Sequence, residues 1–160
     1  MNKNLTKILS NAWAIPEDLT VAEWGSRYMV IPSTPYGGSK FRPEMSPWLI
    51  EPLEALKDDN VREIVLNCSA QSGKSTYLYL AMLYALAEAP APALFFAPTE
   101  QLSLRYARQR IIPMLERCPK LKHLMPQDRK DKQLREVVFP NGSLMIGAAN
   151  ESFAQSWSCK

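Results

Sequence analysis

The sequence predicts an α/β fold, and three observations carry that prediction. Apolar, β-prone runs at residues 61–66 and 93–97 alternate with helical patterns at 77–87 and about 100–118, the order that builds strand-helix-strand units. Between the first run and the first core helix stands CSAQSGKST, residues 68–76, where a phosphate-binding loop belongs. Near the end of the chain, Pro140, Asn141 and Gly142 separate the β-prone runs 137–139 and 143–146, which reads as a hairpin. The predicted architecture is a P-loop NTPase core with an incomplete sheet, an N-terminal helical arm over residues 1–60 and the C-terminal hairpin within a partial core over 61–160.

Each element has a local reason. Thr20 and Glu23 form a capping box that opens a short helix to about residue 29. Residues 31–47 are too rich in Pro, Gly and Ser for regular structure and read as a long surface loop. Ser46 and Pro47 are an N-cap and first helical position for a helix to about residue 57, kinked at Pro52. Residues 58–60 turn the chain into a short buried strand at 61–66. The helix after the loop has no internal breaker and is stopped by Glu88 with Pro90 and Pro92. A second buried strand at 93–97 follows, Thr99 caps the next helix, and Pro113 bends it. The run DRKDKQLRE at 128–136 alternates in sign and reads as solvated surface.

The chemistry of the loop follows from its spacing. Gly73 lets the backbone approach phosphate oxygens, and the first-turn amides of the next helix point the same way, where the helix dipole favours negative charge. Lys74 brings a mobile positive charge to the β- and γ-phosphates, and the Ser75 hydroxyl would complete a Mg²⁺ shell. Thr76 assists from the helix start. Ser69, Ala70, Gln71, Ser72, Gly73, Lys74, Ser75 and Thr76 are the expected nucleotide-binding residues, with Lys74 as the catalytic candidate and ATP with Mg²⁺ as the ligands. Cys68 stands where the first glycine of the usual pattern is expected. No buried strand ends in the Asp-Glu pair that holds Mg²⁺ and orients water in such ATPases, so the chain as written reads as binding nucleotide without turning it over.

Composition sets outer limits. With 160 residues, 46% hydrophobic and 22% charged, the chain suits one globular core, and a net charge of +3 permits a polyanionic partner without demanding one. Its three cysteines form no C-x-x-C pair and His123 has no companion ligand, which argues against zinc and disulfide frameworks and for a reducing cytoplasm. No secretory signal or membrane-length apolar run is apparent. Arg105 and Arg108 share a helix face that reads either as solvated surface or as a contact to a phosphate backbone. Trp13, Trp24 and Trp48 read as core residues, or as docking residues if the chain were an interaction module with a vestigial loop.

With these residues in view, the chain resembles the large terminase subunit of tailed phages, the lambda-like GpA type. The resemblance rests on the order of blocks AEW (22–24), FRPEMSPW (41–48), VREIVLNCSAQSGKST (61–76), APAPALFFAPTEQ (89–101) and FPNGSLMIGAAN (139–150). It implies an additional-strand P-loop ATPase, a motor that packages viral DNA into procapsids, and in full-length members a C-terminal metal-dependent nuclease. It implies a phosphate loop at 70–75 and a coupling motif at Pro98 and Thr99. The Asp-Glu strand is expected shortly past Asn150, beyond Lys160, so the resemblance reads as an N-terminal part with an uncovered sheet edge, marginally stable or prone to associate. Implied partners are double-stranded viral DNA, a small terminase subunit, the portal or procapsid and further copies of the full-length chain, with no membrane. The implied location is the host bacterial cytoplasm, with transient docking on the procapsid. A helicase-like P-loop translocase is the alternative within the same fold.

Overall fold

The computed structural model describes residues 18–32, 38–89, 91–126, 134–140 and 142–148. The chain opens with helix α1 (Val21–Tyr28), where Thr20 Oγ1 accepts from the Glu23 amide and the Glu23 carboxylate accepts from the Thr20 amide. The expected capping box is therefore formed, and it satisfies donors that the first helical turn leaves unpaired. Its amphipathic face buries Val21, Ala22, Trp24 and Gly25. Gly25 serves close approach, since a Cβ there would lie 2.7 Å from Leu80 and 2.9 Å from Phe41.

The next stretch is more ordered than its composition suggests. Strands β1 (Val30–Pro32) and β2 (Gly38–Lys40) pair antiparallel, so the expected irregular loop contains a two-stranded ribbon. Composition hid this because the pairing is a property of both arms together, and each is only three residues long. A 3₁₀ turn (Pro43–Met45) leads into the helical stretch Pro47–Leu49, α2 (Ile50–Glu54) and Ala55–Lys57, with 3₁₀ geometry at both ends. Ser46 makes no side-chain cap bond, contrary to the sequence reading. Its backbone stands at φ −147°, ψ 61°, outside the extended geometry that aims a capping oxygen at the first turn. Asp58 closes the turn that follows by accepting from the Asn60 amide at 2.9 Å.

Residues 61–69 differ most from expectation. They run outside both sheets, with Ile64 and Leu66 packed against the core and Val61 and Val65 exposed, the latter by 78%. Period-two alternation covers one face only, and among the described residues no neighbouring strand supplies a ladder. The expected buried strand is thus not formed among the described residues: residues 61–69 carry no regular secondary structure and only Ile64, Leu66 and Cys68 are partly covered.

Helix α3 (Lys74–Glu88) is the longest described element and buries Tyr77, Tyr79, Leu80, Leu83 and Leu86. Strand β3 (Ala93–Ala97) follows, then α4 (Glu100–Tyr106), capped by Thr99 Oγ1 accepting from the Leu102 amide. Ahead of Pro113, where the sequence leads one to expect a bend, stands a π turn (Ala107–Ile111), followed by α5 (Ile112–Arg117). Pro113 has no N–H for the Gln109 carbonyl and its ring crowds that carbonyl, so the preceding turn widens. A short α6 (Pro119–Lys122) precedes the hairpin of β4 (Glu136–Phe139) and β5 (Gly142–Ala148).

The larger sheet has the order β3-β5-β4, with β3 parallel and β4 antiparallel to β5. Central β5 buries Leu144, Ile146, Gly147 and Ala148, whereas edge strands β3 and β4 expose Phe96 and Val138. The hairpin was expected from the Asn-Gly pair; Phe139 sits opposite Gly142, while Asn141 lies outside the described residues. One buried cluster joins Trp24, Leu53, Leu80, Met114, Leu121, Val137 and Ile146, drawing on both sides of residue 60.

The Trp24 indole donates to Glu88 Oε1 at 2.7 Å, with the Tyr28 and Tyr84 rings 5.4 and 5.6 Å away. Lys120 pairs with the same carboxylate at 3.1 Å. Trp24 is a core residue as expected, Trp48 is 56% exposed, and Trp13 lies outside the described residues.

Candidate functional site

The loop that leads into α3 is shaped by its own backbone. Gln71 takes φ 59° and Gly73 φ 89°, both left-handed, and Gly73 stands as the N-cap of α3 without a side-chain cap. Only glycine adopts that conformation without strain, which explains its place here. The Ser72 hydroxyl donates to the Ser69 carbonyl at 2.8 Å and pins the turn.

Lys74 is folded onto the loop: its Nζ donates to the Cys68 carbonyl at 3.2 Å and also to the Ser69 carbonyl. Cys68, partly buried, accepts through its backbone carbonyl, a group that the glycine of the usual pattern would equally supply. The first turn of α3 is anchored from below, because Tyr77 donates its hydroxyl to the Pro52 carbonyl at 3.0 Å. Burial pushes the Tyr77 phenol above its ordinary value, so it keeps that proton across the neutral range.

Gln71, Gly73, Lys74, Ser75 and Thr76 line an open cavity of about 270 Å³. A second cavity of about 410 Å³ shares Thr76 and is otherwise walled by Ile31, Ser39, Lys40, Phe41, Arg42, Met45 and Ser46. Amides at a helix N-terminus, a lysine and two hydroxyls make the first cavity suited to an anion. The second offers apolar walls with two cations.

Of residues 69–76, Gln71, Gly73, Lys74, Ser75 and Thr76 line this cavity, whereas Ser69, Ala70 and Ser72 do not. Pro98 and Thr99 follow the end of β3, outside the lining of that cavity, and the Thr99 hydroxyl is engaged as a helix cap. Arg105 on α4 and Arg108 in the π turn are both exposed, while neighbouring Arg110 donates to the Pro32 carbonyl. Ser46, Trp48 and Leu49 also shape the loop without any sign of it in the sequence pattern: the Trp48 indole donates to the Ser72 carbonyl at 2.9 Å, and Leu49 lies beneath Gly73. The block FRPEMSPW contains the first two, without indicating what they touch. Among the described residues there is no group of three or more His, Cys, Asp or Glu able to hold a metal, and no helix long and apolar enough to cross a membrane.

These features define a mixed α/β protein, its sheets small and incomplete, compatible with an ATPase domain. Residues 37–156 match the family model described as phage terminase large subunit gpA, ATPase domain, and the chain belongs to that family. Membership implies nucleotide binding, and DNA and packaging machinery as partners. Searches of curated proteins and of solved structures returned no match.

Proposed function

We propose that this chain is the ATP-binding portion of a phage DNA-packaging motor, with residues 69–76 as its phosphate loop on an additional-strand P-loop core. The observation that carries the reading is the left-handed Gly73 heading α3 with Lys74, Ser75 and Thr76 around one cavity. Lys74 would exchange the loop carbonyls it now engages for phosphate oxygens, a charge-assisted contact stronger than a neutral one. The adjoining cavity, walled by Phe41 and Met45 beside Arg42, has room for the nucleoside.

Mg²⁺ prefers oxygen ligands and retains water. The exposed Ser75 hydroxyl fits one such position, and with no carboxylate cluster among the described residues the ion would be held chiefly by phosphate oxygens and water. Mg²⁺ would supply neutralisation of phosphate charge. The chain's own residues bind and orient: backbone amides cup the phosphates, Lys74 neutralises them, and Tyr77 with Pro52 holds the helix start in place.

In the packaging reading, residues 1–60 form an arm on the core of 61–160, Pro98 and Thr99 couple nucleotide state to movement, and Arg105 and Arg108 meet the phosphates of double-stranded viral DNA. The small terminase subunit, the portal or procapsid and further copies of the full-length chain are the other partners, met in the host cytoplasm. Titration of a fluorescent ATP analogue with Mg²⁺ tests the reading: saturable binding is expected for the parent chain and lost in Lys74→Ala. Equal binding by a folded Lys74→Ala variant would refute it.

A further inference from the structure

Trp48 is more than half exposed, so burial does not account for its placement. Its indole N–H nevertheless donates to the Ser72 carbonyl at 2.9 Å, in the middle of the loop. A trans peptide is planar, with its C=O and the following N–H on opposite sides, and the described chain has no cis bond. Holding the Ser72 carbonyl toward Trp48 therefore aims the Gly73 N–H away from it. Gly73 lines the loop cavity, whereas Ser72 and Trp48 are not in its lining.

The same turn braces the glycine by contact. A Cβ on Gly73 would lie 2.9 Å from Leu49 Cδ1 and 3.4 Å from Ser46 Oγ, so this turn sits against the loop backbone on both sides of Trp48. Leu49 is buried and anchors the turn to the core. We propose that Trp48 is a positioning residue for phosphate binding: its N–H fixes the Ser72–Gly73 peptide so that the Gly73 amide faces the incoming phosphate. This rests on the nucleotide-binding reading above. The ligand class it serves is any polyphosphate chain, with or without a base attached.

Trp48→Phe removes the donor and keeps an aromatic ring at an exposed site. Affinities for Mg²⁺-ATP and for Mg²⁺-tripolyphosphate are expected to fall by the same factor, about three- to tenfold for one neutral hydrogen bond. Trp48→Gln, which keeps an N–H donor without the ring, is expected to recover part of that loss. In the parent chain, tripolyphosphate should shift the Trp48 indole ¹H–¹⁵N signal, identified by its absence from both variants. Unchanged affinities, or a loss confined to ATP with tripolyphosphate spared, would overturn the proposal, the latter by making Trp48 a base contact. If the folded parent chain binds neither ligand, the nucleotide reading fails and takes the proposal with it. If parent binding is intact and sensitive to Lys74→Ala, only the role of Trp48 is at stake.

Discussion

Gly73→Ala perturbs the loop at its most constrained point. At φ 89° an L side chain pays about 1–2 kcal/mol for the left-handed conformation. The new methyl would also stand 2.9 Å from Leu49 Cδ1, and Leu49 is 1% exposed, so it has little room to retreat. Overpacking of that kind costs about 1–3 kcal/mol, while the stiffer unfolded chain returns about 0.4–1 kcal/mol. The net expectation is a loss of about 3 kcal/mol, a drop in melting temperature of roughly 6–12 °C for a chain of this size. Urea denaturation followed by far-ultraviolet circular dichroism reads it as a lower midpoint at unchanged slope. Gln71→Gly is the internal control of opposite sign, because Gln71 stands at φ 59° and glycine relieves that strain. Gly73→Ala as stable as the parent within about 0.5 kcal/mol would refute the left-handed cap and its contact with Leu49.

Other outcomes follow from packing and titration. Trp24→Phe removes the indole donor from the Glu88 carboxylate and is expected to cost about 1.5–3 kcal/mol by chemical denaturation, the range for hydrogen bonds to charged groups; a neutral result would count against that bond. Gly25→Ala should cost about 1–3 kcal/mol through its clash with Leu80, and Leu80→Ala about 2–5 kcal/mol through a cavity. Together they should cost less than their sum, and strict additivity would show that the two residues do not touch. Burial raises the Cys118 thiol above its ordinary 9.0 and the Tyr79 phenol above 10.0. A raised folded value means the folded state holds its proton more tightly, so this stability is fully present below about pH 9 and is lost as pH climbs through the raised values. Thermal melts between pH 7 and 11 would show it, and a midpoint constant across that range would contradict it.

What the chain reveals locally is legible without coordinates. Thr20 with Glu23 and Thr99 with the Leu102 amide act three residues apart, and the hairpin follows from its turn residues; such contacts are decided by sequence neighbours. The loop at 68–76 is legible for the same reason, since its glycine, lysine and hydroxyls are consecutive. The ribbon of β1 and β2 was not, because neither arm shows its partner. Nor was the fate of residues 61–66: apolar alternation says which face is covered, but a strand exists only where another lies beside it.

Caps, turns, the loop's residue types and the family resemblance are all encoded over short spans or in block order, and so are readable from the residues alone. That Trp24 meets Glu88, that Trp48 reaches Ser72 and that Leu49 lies under Gly73 is visible only in the folded chain. Those partners are separated along the chain, and their meeting depends on how the whole core packs, which no local propensity contains.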